Sequence, residues 1–296
     1  MKKIVFGCVG LICIIALTQC NNSDTKTGTT SDTTEAQLAS NTSVADNWKI
    51  GVQMYSFRMF TFTEALEKVD SAGAKNIEGY WGQPLGAGMK DSFGIRMSAE
   101  SRAKLKQLLQ KKGINMVAMG VISPGTRQEW QQAFDLAKEF GLSYITTEPR
   151  KDFWGMIDSM SGTYGIKIAI HEHPRPNPYW HPDSVLAAIK GHSNIGACAD
   201  LGHWARSGLN PVECMKKLEG HIYGVHLKDI KTFNDTKAQD TVVGKGVIEF
   251  PPIFQELKRQ NFNGMLSIEH ESNWYHNMPG VREAVQYYNT QVANLK

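Results

Sequence analysis

Cysteine is scarce in this chain: there are five in 296 residues, and three of them, Cys8, Cys13 and Cys20, fall within the first twenty. The remaining two, Cys198 and Cys214, cannot make the framework of bridges that staples a small secreted domain, and both stand among apolar neighbours as small core residues do. An excess of one charge is missing as well. The formal net charge is +3, which leaves no basic footprint for nucleic acid. No apolar run reaches the roughly 20 residues needed to cross a bilayer as a helix. No Gly-x-Gly-x-x-Gly follows the first strand-like run, where the sequence reads Gln53-Met54-Tyr55-Ser56-Phe57, so a dinucleotide site has no support. What is present is a globular composition, 41% hydrophobic and 21% charged with 27 glycines and 11 prolines. These values exclude disordered, collagen-like and coiled-coil chains, and the length accommodates one α/β barrel domain.

Lys2 and Lys3 precede an apolar run over residues 4–18, which has the length and flanks of a signal-peptide hydrophobic region. It ends in Leu17-Thr18-Gln19-Cys20, which resembles a bacterial lipoprotein signal. That resemblance implies cleavage before Cys20, a lipid on its thiol, and a membrane-anchored lipoprotein on the periplasmic or cell-surface side, with the lipid as its only contact with the membrane. An ordinary cleaved signal peptide is the alternative. Residues 20–47 are rich in Thr, Ser and Asn, with Leu38 and Val44 as the only large apolar side chains, and are read as a disordered tether. The expected organisation is a signal peptide over 1–19, a tether over 20–47 and a single folded domain over 48–296.

From Trp48 onward short apolar runs alternate with segments of helical period, the pattern of repeated βα units and a parallel sheet. Strands are predicted at 49–55, 76–79, 115–120, 144–147, 167–171, 195–200, 222–227 and 265–270. Helices are predicted between them at 63–72, 99–112, 127–140, 153–163, 182–190, 211–218, 252–259 and 280–293. Gly73, Gly113 and Gly141 stand where a left-handed stop closes a helix. Eight such units in about 250 residues is the arithmetic of a (β/α)8 TIM barrel.

In such a barrel the chemistry sits at the C-terminal ends of the strands. Here the later ends are crowded with polar residues: Thr147-Glu148-Pro149 after the fourth strand, His171-Glu172-His173 after the fifth, Asp200-Leu201-Gly202-His203 after the sixth, His226-Leu227-Lys228-Asp229 at the seventh and Glu269-His270-Glu271 at the eighth. Inward alternation selects Asp200, His226 and Glu269. Two carboxylates and an imidazole on adjacent strands, with a fourth ligand from strand four or five, form a mixed nitrogen and oxygen site for one divalent ion: Mn²⁺, Zn²⁺, Co²⁺ or Mg²⁺.

These elements, in this order, resemble the xylose isomerase-like TIM barrels, which include sugar isomerases, ketose 3-epimerases, inosose dehydratases and endonuclease IV. The resemblance covers Lys49 to about Tyr288 and implies that Asp200, His226 and Glu269 hold a metal while His203 contacts substrate. Epimerases of the family carry a metal-binding Glu at the end of strand five; this chain has His171 there, and Glu148 becomes the natural supplier of the fourth carboxylate, with His171 the other choice. The Ile170-His171-Glu172-His173 element is similar to the branch with inosose dehydratases. The chemistry implied is metal-assisted proton abstraction beside the carbonyl of a keto-sugar through an enediolate, with Glu148, His171 or His173 as base and Glu269 as a further catalytic group. Return of the proton gives an isomerase or epimerase; loss of an adjacent oxygen gives a lyase or dehydratase acting on an inosose or 3-keto-glycoside.

Other features leave alternatives. Trp81, Trp154, Trp180, Trp204 and Trp274 either stack on a sugar substrate at the mouth or pack loops. Gly244-Lys245-Gly246 is a plain glycine turn or a phosphate cradle, and Lys228 is a substrate contact or a salt-bridge partner. Two rival functions follow from the same fold. A phosphodiester-cleaving enzyme would need further histidines that Ala118-Met119-Gly120 and the loop near Gln239 lack. A non-catalytic sugar-binding lipoprotein would be expected to lack part of the metal set.

Overall fold

The computed structural model describes residues 44–295; the signal segment, Cys20 and most of the expected tether lie outside them. Eight parallel strands close into a barrel: β1 (Lys49–Gln53), β2 (Asn76–Tyr80), β3 (Asn115–Ile122), β4 (Tyr144–Thr147), β5 (Lys167–His171), β6 (Ile195–Asp200), β7 (Ile222–Leu227) and β8 (Met265–Ile268). Each pairs with its neighbours in sequence, and β8 pairs with β1 to close the ring. The (β/α)8 barrel expected from the alternation is the fold observed.

The helices form where their caps say they should. Thr61 and Glu64 make a reciprocal capping box at the start of α1 (Phe62–Ala72), and Ser98 and Thr126 cap α2 (Ala99–Lys112) and α3 (Arg127–Phe140). Gly73, Gly113 and Gly141 close these three helices in the left-handed conformation. The outer ring continues with α4 (Trp154–Tyr164), α5 (Pro182–Ile189), α6 (Leu201–Arg206), α7 (Pro211–Lys217), α8 (Phe250–Arg259) and α9 (Met278–Ala293). Each helix turns an apolar stripe inward; on α3 this is Trp130, Ala133, Phe134 and Ala137. Full burial of a large apolar side chain contributes about 1.5–3 kcal/mol. Small and medium residues fill the lower barrel: Val117, Ala118, Ala169, Cys198 and Met265 around Tyr144. Cys198 and Cys214 are both free and buried, as expected of core residues.

Several features depart from the expected string, the first being that β1 gives way after Gln53 to a 3-10 turn, Met54–Phe57. Residues 44–47 are not tether: they form a 3-10 turn with Ala45 buried, because the Trp48 amide donates to Ala45 O at 3.1 Å while the Trp48 indole donates to Phe262 O at 2.8 Å. A hairpin of Pro84–Gly86 and Met89–Ser92 is inserted after β2. Asp229–Ile230 pairs with Asp240–Thr241 beyond β7. The short helix α6 starts directly at the end of β6, with Asp200 as its cap. No helix among the described residues is long and apolar enough to cross a membrane.

Candidate metal centre and active site

Barrel register carries the polar strand ends to one level. Asp200 at the end of β6 stands opposite His226 in β7. Glu269 follows β8, where its amide donates to Leu227 O at 3.1 Å and extends the ladder. His171 ends β5. Ligand atoms of His171, Asp200, His226 and Glu269, all buried, lie within 4.8 Å of one another.

Asp200 divides its two oxygens between fold and site. Oδ1 accepts the His203 amide at 2.8 Å and caps α6. Oδ2 faces His171 Nε2 at 3.3 Å, Lys228 Nζ at 3.5 Å and His226 Nδ1 at 3.6 Å. His226 Nδ1 and Glu269 Oε2 are 2.9 Å apart, yet neither has a hydrogen-bond partner of good geometry among the described residues. The other His226 nitrogen, Nε2, lies 3.0 Å from Glu78 Oε2 on β2, both side chains being fully buried.

Burial works against every charge in this cluster, and the neighbours overrule it. Cys198, Glu78 and Glu269 around His226 raise it well above the ordinary histidine range, and hydrogen bonds to Asp200 and Glu148 push His171 up to about 9. His203 and Lys228 hold the Asp200 carboxyl well below its usual range, and Lys228 and His226 lower that of Glu269. Carboxyl groups of Glu78, Glu148, Asp200, Glu269 and Glu271 thus crowd the histidines and Lys228, and two buried donor atoms point at one space without bonding. This donor set fits a divalent cation. The second nitrogen of His226 already has the carboxylate that orients a metal-binding imidazole.

His171 is the residue whose ligand atom lies with those of Asp200, His226 and Glu269, whereas Glu148 groups with His171 and His173. Both Glu148 oxygens are occupied elsewhere: Oε1 faces His171 Nδ1 at 3.2 Å and His173 Nδ1 in a shorter contact, and Oε2 accepts Asn177 Nδ2 at 2.8 Å. Hydrogen bonds from His171 and His173 outweigh burial and keep this carboxyl below its usual range. Glu148 therefore stands behind two imidazoles. A cavity of about 200 Å³ opens onto the site, lined by Gln53, Tyr55, Tyr80, Val121, His171, His173, Glu269 and Glu271.

Three expected substrate contacts do not line that cavity. Lys228 is fully buried, with Nζ 3.2 Å from Glu269 Oε2 and hydrogen-bonded to Glu271, so it serves as counter-charge to the site carboxylates. His203 is wedged between Lys228 Nζ at 3.2 Å and Arg206 Nη1 at 2.9 Å. Trp204, expected at the mouth, is 0% exposed in the hydrophobic core, because α6 turns it inward. Of the two readings of Gly244-Lys245-Gly246, the structure has the glycine turn: the Asp229 carboxylate accepts the amides of Ile230 at 2.9 Å, Gly244 at 3.0 Å, Gly246 at 2.7 Å and Ile248 at 3.2 Å. A side chain on Gly246 would put Cβ 2.2 Å from Asp229 Oδ1, which is why that turn is glycine.

Against known sequences, the profile described as xylose isomerase-like TIM barrel matches residues 66–291. The chain belongs to the xylose isomerase-like TIM barrel family. Among curated relatives, an inosose dehydratase of Clostridium botulinum is 30% identical over 146 residues, 44% of this chain and 47% of that protein. An inosose dehydratase of Mesomycoplasma hyopneumoniae is 35% identical over 129 residues, 38% of this chain and 43% of that protein. These matches span less than half of either relative. Among solved structures, an uncharacterised protein from Parabacteroides distasonis is 33% identical, with a TM-score of 0.68 over 82% of this chain and 99% of that one. The IOLI protein, crystallised with a bound zinc atom, shares the fold at 16% identity and TM-score 0.70, over 84% of this chain and 99% of that one.

Within this xylose isomerase-like site, sequence reasoning missed Glu78, Glu271, Asn177 and the cavity tyrosines Tyr55 and Tyr80. Glu78 left a signal: a charged residue in the middle of the strand Asn76-Ile77-Glu78-Gly79-Tyr80 is inside the barrel only if a partner is waiting. Tyr55 and Tyr80 meet edge-to-face at 4.9 Å, and Arg58 lies 4.1 Å over the Trp274 ring beside them. Neither pairing leaves a mark in the local sequence.

Proposed function

We propose that this chain is a carbon–oxygen lyase of the dehydratase kind, which removes the proton beside the carbonyl of a keto-sugar or of a ketone of a cyclic polyol. The observation that carries the reading is the pair His173 and Glu148: an imidazole on the cavity wall, half-exposed, with a partly buried carboxylate against its Nδ1. That is the arrangement of a general base with its orienting acid.

His171, Asp200, His226 and Glu269 are the residues that would hold a divalent ion, as Mn²⁺, Zn²⁺, Co²⁺ or Mg²⁺. Bound there, such an ion would polarise the substrate carbonyl and an adjacent oxygen. His173 takes the proton from the carbon next to the carbonyl, and Glu148 compensates the charge on the ring. The freed electron pair forms a C=C bond as the C–O bond on the next carbon breaks. The departing oxygen then recovers a proton from His173 and leaves as water or an alcohol. Glu271 and Glu269, held by Lys228, line the same cavity from the end of β8.

The β5 and β8 ends carry unlike groups, an imidazole with its carboxylate after β5 and carboxylates held by an ammonium after β8. This asymmetry favours elimination over the matched pair of bases that an epimerase uses. The part-length similarity to inosose dehydratases supports the same outcome. Isomerisation or epimerisation shares the first step and is the second reading, favoured by Glu271 as a second proton carrier lining the same cavity as His173. Product mass decides between them. Incubation of the metal-replete protein with inososes and 3-keto-glycosides should release water or the alcohol and give an unsaturated ketone. A rearranged product of unchanged mass would establish isomerisation, and tight binding without turnover would leave a sugar-binding protein.

A further inference from the structure

A second cavity, of about 290 Å³, adjoins the first. Val121 lines both, and the strand ends feed them in pairs: Tyr80 faces the inner chamber and Trp81 the outer, while Val121 is shared and Ile122 faces the outer. The two chambers are thus consecutive compartments of one cleft across the ends of β2 and β3. Their linings differ in kind. The inner chamber presents Gln53, His171, His173, Glu269 and Glu271. The outer presents Trp81, Ile95, Val121, Ile122 and Pro124, and two of its polar atoms have partners: Ser123 Oγ donates to Glu148 O at 3.0 Å, and Glu129 Oε2 accepts the Gly125 amide at 2.9 Å.

The Trp81 indole is set in place by the segment after the inserted hairpin. A Cβ on Gly94 would come within 3.1 Å of its Nε1, so the backbone lies directly against the ring. An indole fixed in this way is a platform for a planar or apolar group, and aromatic contacts of that kind are worth about 0.5–1.5 kcal/mol beyond the area they bury. Charge excludes another class of ligand. The residues lining the two chambers include Glu129, Glu269 and Glu271 but no lysine or arginine, which disfavours a phosphorylated substrate.

We infer that the cleft accepts a neutral glycoside rather than a free keto-sugar, with the sugar ring in the inner chamber and its O-linked aglycone, apolar or aromatic, against Trp81 in the outer one. The inference rests on the reading of the inner chamber as a keto-sugar site, and it makes the departing group an alcohol rather than water. The proton lost from the carbon beside the carbonyl ends on the aglycone oxygen, whose bond to the sugar breaks as the C=C bond forms.

The test separates the chamber from the chemistry by using ligands without a ketone. Isothermal titration of the full-length protein with 4-nitrophenyl glycosides of glucose, galactose and xylose is compared with titration of the matching methyl glycosides. At least one 4-nitrophenyl glycoside should bind ten-fold or more tightly than its methyl counterpart, and Trp81→Ala should bring the ratio to within about three-fold of unity. Ile95→Trp, at a partly exposed position, fills the outer chamber without opening the core and should remove the preference too. Equal affinities in the unaltered protein, or a preference that survives both substitutions, would overturn the inference. If the preference behaves as expected but no keto-glycoside is turned over, the inner-chamber reading fails while the outer binding site stands.

Discussion

Glu78 offers the sharpest perturbation of the metal centre because it touches the site through a single atom pair. Its Oε2 lies 3.0 Å from His226 Nε2, both residues are fully buried, and His226 Nδ1 on the far side of the ring faces Glu269 Oε2 at 2.9 Å. A carboxylate on one ring nitrogen fixes a proton there and turns the lone pair of the other toward the ion; losing such a partner typically costs 10–100-fold in metal affinity. That range corresponds to about 1.4–2.8 kcal/mol, the same size as the roughly 1–3 kcal/mol cost of a buried donor left without an acceptor. The carboxylate is closely enclosed: a Cβ on Gly120 would lie 2.9 Å from Glu78 Oε1. Glu78→Ala should therefore weaken Zn²⁺ or Mn²⁺ binding by 10–100-fold in chelator-competition titrations. Glu78→Gln keeps an acceptor and should lose less than ten-fold. Circular dichroism would establish that both variants retain the barrel. A folded Glu78→Ala protein binding metal within two-fold of the unaltered chain would refute the reasoning.

The remaining predictions are independent of one another. With His171 pushed up to about 9 by its acidic neighbours, a metal must displace its proton below that pH. Because His226 is also raised well above its ordinary range, apparent affinity should then fall by at least ten-fold per pH unit on going below 9, measurable as proton release in buffers of different ionisation enthalpy; a flat pH profile would contradict the ligand set. In the metal-free protein the raised value has the opposite consequence: the stability it contributes is complete below about pH 6.5 and is lost as pH rises through 9, which urea titrations at several pH values would detect. Asp229→Ala strips the acceptor from four amides of the β7–α8 segment and should destabilise the fold by about 3 kcal/mol by urea unfolding; a loss under 1 kcal/mol would show that water replaces the carboxylate. From the sequence of residues 17–20 we propose a lipid on Cys20, so Cys20→Ser should move the protein from the membrane to the soluble fraction, and unchanged fractionation would rule the anchor out.

The barrel was legible because apolar runs alternate with helical periods and several βα units carry their own punctuation. Thr61 with Glu64, Ser98 and Thr126 open helices, Gly73, Gly113 and Gly141 close them, and the strand bounds for residues 144–147, 167–171, 195–200 and 222–227 coincide with those observed. Strand alternation also identified Asp200, His226 and Glu269, since a charged residue ending an apolar run must face the site or pay for burial. What alternation cannot show is which neighbour a long side chain meets. Glu148 reads as a ligand by position, yet it meets His171 at the end of β5 and His173 and Asn177 in the following loop, whose path is not encoded in the strand pattern. Trp204 reads as a mouth residue when the segment after Asp200 is taken for a loop; six residues of helix bury it instead. Gly244-Lys245-Gly246 has the composition of an anion cradle, and Asp229, fifteen residues upstream of Gly244, supplies the anion.

The central claim is that the His173–Glu148 pair removes a carbon-bound proton beside a carbonyl. It is tested most directly by NMR of an inosose or 3-keto-glycoside in D₂O with the metal-replete protein. The account predicts deuterium at the carbon next to the carbonyl, or in the released product, at a rate that falls at least 100-fold in His173→Asn while that variant keeps its metal. Undiminished exchange in metal-loaded His173→Asn, or no exchange in the unaltered protein with any ketone that binds, would contradict it.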